Sequence, residues 1–178
     1  MRIAIMGSAF NPPTLGHADV IAQALEHADH VWLVPSFRHA WGKKMAPYLD
    51  RCAMSQRLGQ DLGTERVSLM AVEHLIADDR PIYSIDLMEW LQRQHGADNQ
   101  LLLLLGPDNA DVLDKFHRAT ELQERWPLLM AKERKAIRST QLRQCLMQGE
   151  AIDHLTTPAV AAYLQQHPLY CSSLAAQP

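Results

Sequence analysis

Thr14 and His17 are the residues whose types and spacing best suit phosphate chemistry in this chain. They lie three positions apart, so in a helix capped by Thr14 both side chains fall within one turn. Gly7-Ser8 comes earlier and ends a short apolar run, residues 2–6, that is typical of a buried parallel strand. A strand, a small-residue turn and a helix start direct free backbone N–H groups at one point, which favours an anion such as phosphate.

A purely structural interpretation of the same residues stays open at this point. Thr14 could only cap a helix and His17 could be a partly buried structural histidine, since turns of this kind occur in many α/β proteins. The Walker and dinucleotide glycine patterns are absent from the chain. Phosphate binding therefore needs support from elsewhere in the sequence.

Strand patterns alternate with helix patterns along the whole chain. The predicted strands span residues 2–6, 31–35, 67–72, 101–105 and 126–132. The predicted helices span residues 15–27, 50–62, 84–94, 108–114, 120–124, 139–148 and 158–166, with Ser139 and Thr157 as caps, and residues 36–47 and 74–81 are predicted loops. This alternation predicts a Rossmann-like α/β fold: a parallel sheet with right-handed crossovers and helices on both faces.

Composition limits the class of protein further. The 178 residues are 47% hydrophobic and 21% charged with a net charge of −3, which suits one globular domain (1–178, with 171–178 as a frayed tail) and gives no basic footprint for nucleic acid. Three separated cysteines without C-x-x-C spacing predict reduced thiols in the cytoplasm, and no zinc-ligand spacing occurs, so no protein-held metal is expected. No signal peptide and no membrane span is predicted.

Two separate motifs resemble those of one superfamily. The stretch GSAFNPPTLGH, ending in Thr14-Leu15-Gly16-His17, resembles the G-G-T-F-D-P-x-H-x-G-H signature of the nucleotidyltransferases, whose core is (T/H)-x-G-H. The stretch from Ile137 to Arg143, IRSTQLR, resembles their second signature, I-S-S-T-x-x-R. Arg138 replaces the first serine, and whether it adds a cation beside the phosphates or points away stays open.

The resemblance narrows to the nicotinate/nicotinamide mononucleotide adenylyltransferases. Tyr83-Ser84-Ile85-Asp86 is similar to their Y-T-x-D, Gly106-Pro107-Asp108-Asn109 to their G-A-D segment, and residues 149–170 to their last helix and tail. The resemblance implies transfer of the adenylyl group of ATP to a pyridine mononucleotide, with Mg²⁺ accompanying ATP, and a possible homo-oligomer. It leans towards nicotinate as the acceptor base, with some activity on the amide.

The resemblance also assigns expected roles to residues. The catalytic residues would be His17, Thr14 and Arg143, with His17 stabilising negative charge in the transition state. The expected ATP-binding residues are Gly7, Ser8, Phe10, His17, Gly106, Asp108, Ile137, Ser139, Thr140 and Arg143. The expected acceptor-binding residues are Ser36, His39, Lys43, Tyr83, Ser84 and Phe116.

Two other functions remain as alternatives. The first is the same fold with another acceptor, phosphopantetheine or a phospho-alcohol, against which the Y-S-I-D and G-P-D segments argue. The second is a nucleotide-binding regulator without turnover, against which the intact motif residues argue.

Overall fold

The structure is a computed structural model that describes residues 1–39 and 42–171. Its centre is a five-stranded sheet in the order β3-β2-β1-β4-β5, and every neighbouring pair of strands is parallel. The strands are β1 (Arg2–Ser8), β2 (His30–Pro35), β3 (Val67–Leu69), β4 (Gln100–Leu105) and β5 (Leu128–Met130). The predicted parallel α/β fold is therefore confirmed.

Eight α-helices connect and flank these strands in the described residues. They are α1 (Leu15–Leu25), α2 (Tyr48–Asp61), α3 (Glu73–Ile76), α4 (Ser84–His95), α5 (Pro107–Ala110), α6 (Ala119–Arg125), α7 (Ser139–Gln148) and α8 (Pro158–Gln166). A 3₁₀ turn, Leu113–Lys115, lies between α5 and α6.

The two faces of the sheet carry separate hydrophobic cores. In β4, Leu102 and Leu104 pack with α1, α2, α7 and α8, whereas Leu101, Leu103 and Leu105 pack with α4 and α6. A strand buried on both faces requires apolar residues at every position, which explains the five consecutive leucines. Helices on both faces, as predicted, follow from these two cores.

Several predicted boundaries are wrong for identifiable reasons. β3 ends at Leu69 rather than at residue 72, because the Val72 N–H turns back to the carbonyl of Met70 at 3.1 Å. The predicted loop 74–81 begins inside α3, a four-residue helix too short to show a periodic pattern. The predicted helix 108–114 is α5 followed by the 3₁₀ turn, and β5 covers three residues of the predicted seven.

Two of the three predicted caps do not form as expected. Ser139 is the first residue of α7 rather than its cap, and its hydroxyl donates to the carbonyl of Pro12 at 2.7 Å. Thr157 does precede α8, with Pro158 in the first helical position, but its buried hydroxyl finds no hydrogen-bond partner among the described residues. Thr14 caps α1 as predicted.

The strand order places a crevice between β1 and β4. The chain runs from the central β1 outward through β2 and β3, then returns to the other side of β1 for β4 and β5. Ligands of open parallel sheets bind outside the carboxyl ends of the strands at this kind of reversal.

Two simpler expectations can be checked against the described part of the chain. Cys52, Cys145 and Cys171 are free thiols. No helix in residues 1–39 and 42–171 is long and apolar enough to cross a membrane. The predicted tail, apart from Cys171, lies outside the described residues.

Candidate active site

A cleft of about 460 Å³ opens at the carboxyl ends of β1 and β4. All ten expected ATP-binding residues line it, together with Thr14 and two expected acceptor residues, His39 and Lys43. Residues from the start, middle and end of the chain therefore meet at one place, at the point where the strand order reverses.

Thr14 and His17 form a reciprocal hydrogen-bonded cap at the start of α1. The Thr14 hydroxyl accepts from the backbone N–H groups of Gly16 at 3.2 Å and His17 at 3.4 Å. In return, Nδ1 of His17 accepts from the backbone N–H of Thr14 at 3.0 Å. Thr14 is completely buried, so its side chain orients the helix start and His17. Its catalytic role stays a prediction.

This cap determines which nitrogen of His17 carries a proton. A backbone N–H can only donate, so Nδ1 must accept, and the single proton of the neutral ring lies on Nε2. Burial, and then the positive charge of Arg138, lowers the pKa of His17 to about 4, which keeps the ring neutral near pH 7. Nε2 lies 3.3 Å from the hydroxyl of Ser8, at the cleft. His17 therefore presents a neutral N–H donor there.

The ring of Phe10 packs against the ring of His17. Its side chain is fully buried, and its ring centroid lies 5.0 Å from that of His17. Its φ of 46° is unusual for a residue with a side chain, and the burial of the ring compensates for this strain.

The two motifs are joined by direct contacts between backbone and side chains. Ser139 donates to the carbonyl of Pro12, and Nη1 of Arg143 donates to the carbonyl of Asn11, both at 2.7 Å. A Cβ atom on Gly16 would lie 2.4 Å from the carbonyl oxygen of Ile137, so only glycine allows this approach. We call these contacts the motif seam. The triphosphate contacts expected of Ser139, Thr140 and Arg143 stay predictions.

Asn11 and Arg51 were missed by the sequence analysis although they hold the loop before α1. The amide oxygen of Asn11 accepts from the Ala46 N–H at 3.0 Å and from the Tyr170 hydroxyl at 2.7 Å. Arg51 is buried and donates to the carbonyls of Ala9 and Ala46. An arginine within a helix pattern gives no local signal of such burial, because its partners are distant in sequence.

Arg138 points into the cleft rather than away from it. Its Nη2 donates to Oδ1 of Asp108 at 2.8 Å and also to Glu133. The pair with Asp108 joins the loop after β4 to the segment before α7. Arg138 therefore lines the cleft, and its contact with phosphates stays a prediction.

A basic run also lines the cleft and was missed. Lys132, Arg134 and Lys135 lie along it, directly before the second motif. Arg134 is paired with Asp19 of α1 at 2.9 Å. The sequence signal for this basic run is K-E-R-K at residues 132–135. Its first lysine was assigned to the predicted strand 126–132, which hid the run.

The other expected acceptor residues, Ser36, Tyr83, Ser84 and Phe116, lie outside this cleft in the described structure. Tyr83 and Ser84 are at the start of α4, which packs on the opposite face of the sheet from α1. The Tyr83 ring lies 4.7 Å from that of His117, and Phe116 packs against the core on that face. An adjoining depression, lined by residues that include His39, Lys43 and Pro81, extends from the cleft towards this side. The acceptor roles stay predictions.

The cleft carries both cationic and carboxylate side chains. In the described ranges, no group of three or more His, Cys, Asp or Glu residues is arranged to hold a metal ion. Asp108 and Glu133 are the carboxylates beside Arg138, and they fit an ion that arrives already bound to substrate phosphates.

The fold and the cleft together define a nucleotide-binding α/β protein with cationic and N–H donors at a strand-order reversal. The family model described as cytidylyltransferase-like matches residues 5–145. A probable nicotinate-nucleotide adenylyltransferase of Anaeromyxobacter sp. (strain K) is 31% identical, with 95% of this chain and 96% of the relative covered. The chain therefore belongs to the cytidylyltransferase-like family and, within it, to the nicotinate-nucleotide adenylyltransferases.

Other similar proteins agree with this placement. A probable nicotinate-nucleotide adenylyltransferase of Salinibacter ruber is 29% identical, with 96% of this chain and 98% of the relative covered. A solved structure from Vibrio parahaemolyticus, assigned provisionally to the same enzyme by its name, is 34% identical with a TM-score of 0.85 over 97% of each chain. The Plasmodium falciparum nicotinic acid mononucleotide adenylyltransferase complexed with NaAD has the same fold (TM-score 0.73, 95% of this chain and 97% of that chain) at 16% identity.

Proposed function

We propose that this protein is an enzyme that transfers the adenylyl group of ATP to nicotinate mononucleotide, giving nicotinate adenine dinucleotide and pyrophosphate. The observation that carries the proposal is the neutral His17 N–H donor, which the Thr14 cap holds beside Ser8 at the carboxyl end of β1, next to the motif seam. The names of the relatives supply the acceptor.

The reaction replaces one phosphoanhydride bond by another. A phosphate oxygen of the mononucleotide attacks the α-phosphorus of ATP in line, a new P–O–P bond forms, and the bond to the β-phosphate breaks with release of pyrophosphate. The protein needs to position the reactants and offset negative charge on the moving oxygens. No covalent protein intermediate is required.

His17 would act by hydrogen bonding rather than by proton transfer. Its Nε2–H can donate to a non-bridging oxygen of the α-phosphate as charge develops there. Because Nδ1 is fixed by the Thr14 N–H, the ring reaches the reaction already in the donor tautomer. The basic residues 132, 134, 135 and 138 line the same cleft and favour a polyanion.

The nicotinate ring is the more favourable acceptor on electrostatic grounds. Helix α4 begins at Ser84, so its first-turn N–H groups and helix dipole favour a carboxylate nearby. Oδ2 of Asp86, which could have accepted from an amide, already accepts from the Tyr83 N–H at 3.1 Å and from Arg80 at 2.8 Å. The nearby Arg118 is paired with Glu89 and Glu121, so two carboxylates already offset its charge.

Magnesium would enter with the ATP phosphates, and Asp108 would be the cleft carboxylate available to its hydration shell. Bound there, it would neutralise part of the phosphate charge. We expect activity to disappear after exhaustive chelation and to return with added Mg²⁺. Full turnover in the chelated enzyme would contradict this part of the proposal.

The deciding experiment measures pyrophosphate release with ATP and each mononucleotide side by side. We expect both to react, with the larger kcat/KM for nicotinate mononucleotide. Absence of release with either mononucleotide, in protein that binds ATP, would favour a regulator without turnover. A larger kcat/KM for the amide would contradict the acceptor assignment alone. A homo-oligomer and a cytoplasmic location stay predictions.

A further inference from the structure

Arg138 lies within reach of two carboxylates and of the cleft expected to bind phosphates. In the described structure its Nη2 donates to both Asp108 and Glu133, while its side chain lines the cleft beside Ser139 and Thr140. These two carboxylates come from different segments, one following β4 and the other preceding α7. We call this arrangement the Arg138 bridge.

The Arg138 bridge is accessible to solvent and therefore easily exchanged. The side chains of Arg138, Asp108 and Glu133 are 41%, 69% and 43% exposed. Exposed ion pairs contribute little net stability, because water competes with both partners. A guanidinium binds phosphate oxygens with two parallel hydrogen bonds, and a triphosphate carries more charge than either carboxylate.

Electrostatics indicate that Arg138 lies close to the phosphate site. The pKa of His17 is lowered in part by the positive charge of Arg138, so the two groups interact through the cleft. The motif seam fixes the residues on either side of Arg138, Ile137 and Ser139, so only the arginine side chain needs to move.

We propose that Arg138 exchanges partners when a nucleoside triphosphate binds. Its guanidinium then breaks its hydrogen bonds to Asp108 and Glu133 and binds the triphosphate, which releases the Asp108 carboxylate. In the free protein the two carboxylates hold Arg138 in place and compete with the ligand for it. Arg138 is then a specificity-determining residue for the polyphosphate, and Glu133 limits the affinity. This inference depends on the proposed function only in that ATP is the ligand.

Equilibrium binding of ATP, without acceptor, tests the exchange through the opposite effects of two variants. R138A removes the phosphate ligand, so we expect the Kd for ATP to rise roughly tenfold or more, with a smaller change for AMP. E133Q removes a competing carboxylate, so we expect the Kd for ATP to fall, roughly two- to fivefold. R138K should give an intermediate Kd, because lysine keeps the charge without the planar fork.

R125A is the matched control, since Arg125 is also an exposed arginine paired with two carboxylates, Glu89 and Glu121, but lies outside the cleft. Its Kd for ATP should equal that of the wild type. If the Arg138 bridge were only structural, R138A and E133Q would both weaken ATP binding, and that result would overturn the proposal. An equal loss for AMP and ATP in R138A would overturn it as well.

The two proposals fail in different ways. If the wild-type protein binds ATP and releases pyrophosphate, but R138A and E133Q shift the Kd for ATP in the same direction, only the exchange is overturned. Wild-type protein that does not bind ATP overturns both. If R138A is poorly folded by thermal unfolding, the pair R138K and E133Q gives the same opposite-sign test.

Discussion

The two sides of the proposed active site are built by different means. On the ATP side, the Thr14 cap holds His17, and half-buried side chains hold backbone carbonyls of the first motif in the motif seam. On the acceptor side, around Tyr83 and Phe116, the side chains are partly exposed and lie near ion pairs such as Arg80–Asp86. The difference indicates that the site of charge development is preorganised by the fold, whereas acceptor recognition depends on individual side chains.

The largest effect should follow from removing the donor at the centre of the ATP side. His17→Ala should lower turnover a hundredfold or more, because loss of one preorganised transition-state donor costs roughly 2.7–4 kcal/mol. The KM for ATP should change less. Steady-state kinetics of folded variants decide the point, with His27→Ala, in the exposed turn after α1, as the control. A drop of less than tenfold would contradict the role.

The next effect tests whether the seam itself matters. Gly16→Ala forces a Cβ against the carbonyl of Ile137, and overpacking of this kind destabilises by roughly 1–3 kcal/mol and should separate the two motifs. Gly59→Ala, in helix α2, is the control, because its Cβ would lie at an ordinary 3.4 Å from the side chain of Val67 in β3. The free energy of unfolding, measured with denaturant, and kcat should both fall for Gly16→Ala only. Equal behaviour of the two would show that close approach is unimportant.

A third prediction contrasts two buried titrating groups, His17 in the cleft and Glu73 in α3. The folded His17 stays neutral down to about pH 4, whereas the unfolded chain is protonated below about 6.5, so its contribution to stability falls as the pH drops through that window. Glu73, buried and hydrogen-bonded by the Phe37 N–H, has its pKa raised to about 7 by burial. The folded protein therefore keeps that proton while the unfolded chain loses it, and its contribution falls as the pH rises from 4.5 to 7.

The two groups thus oppose each other between about pH 4.5 and 6.5. Relative to the wild type, His17→Gln should make the slope of the free energy of unfolding against pH more negative, and Glu73→Gln should make that slope more positive. Each change in slope is at most about 1.4 kcal/mol per pH unit. Urea unfolding at pH 5, 6 and 7 measures both slopes. Curves that stay parallel to the wild type would show that neither group titrates as described.

The smallest effect is expected on the acceptor side. Phe116→Ala should raise the KM for nicotinate mononucleotide roughly three- to tenfold through lost aromatic stacking and leave the KM for ATP unchanged. Phe116→Trp should restore or improve binding. An unchanged acceptor KM in the alanine variant would mean that Phe116 serves only the core.

Local patterns were sufficient for the sheet and for locating the cleft, because strands and helix starts leave signals within a few residues. The pattern of residues 101–105 predicts a central strand, which β4 confirms, although leucine slightly favours helices. The partners of Ser139 and Arg143, by contrast, lie more than 120 positions away, so no local pattern could show that these side chains hold carbonyls of the first motif. The direction of Arg138 likewise depends on its bonds to Glu133 and to Asp108, which lies 30 positions away in the sequence.

The contacts of Asn11 also constrain when the site can be completed during synthesis. The hydroxyl of Tyr170 reaches Asn11 across 159 positions, and Thr156 reaches the carbonyl of Pro13 across 143. Because synthesis runs from the N-terminal to the C-terminal side, this loop is made 143 to 159 residues before the partners that complete its hydrogen bonds. A nascent chain lacking Thr156 and Tyr170 would carry both motifs without the hydrogen bonds that these two residues make to the loop before α1.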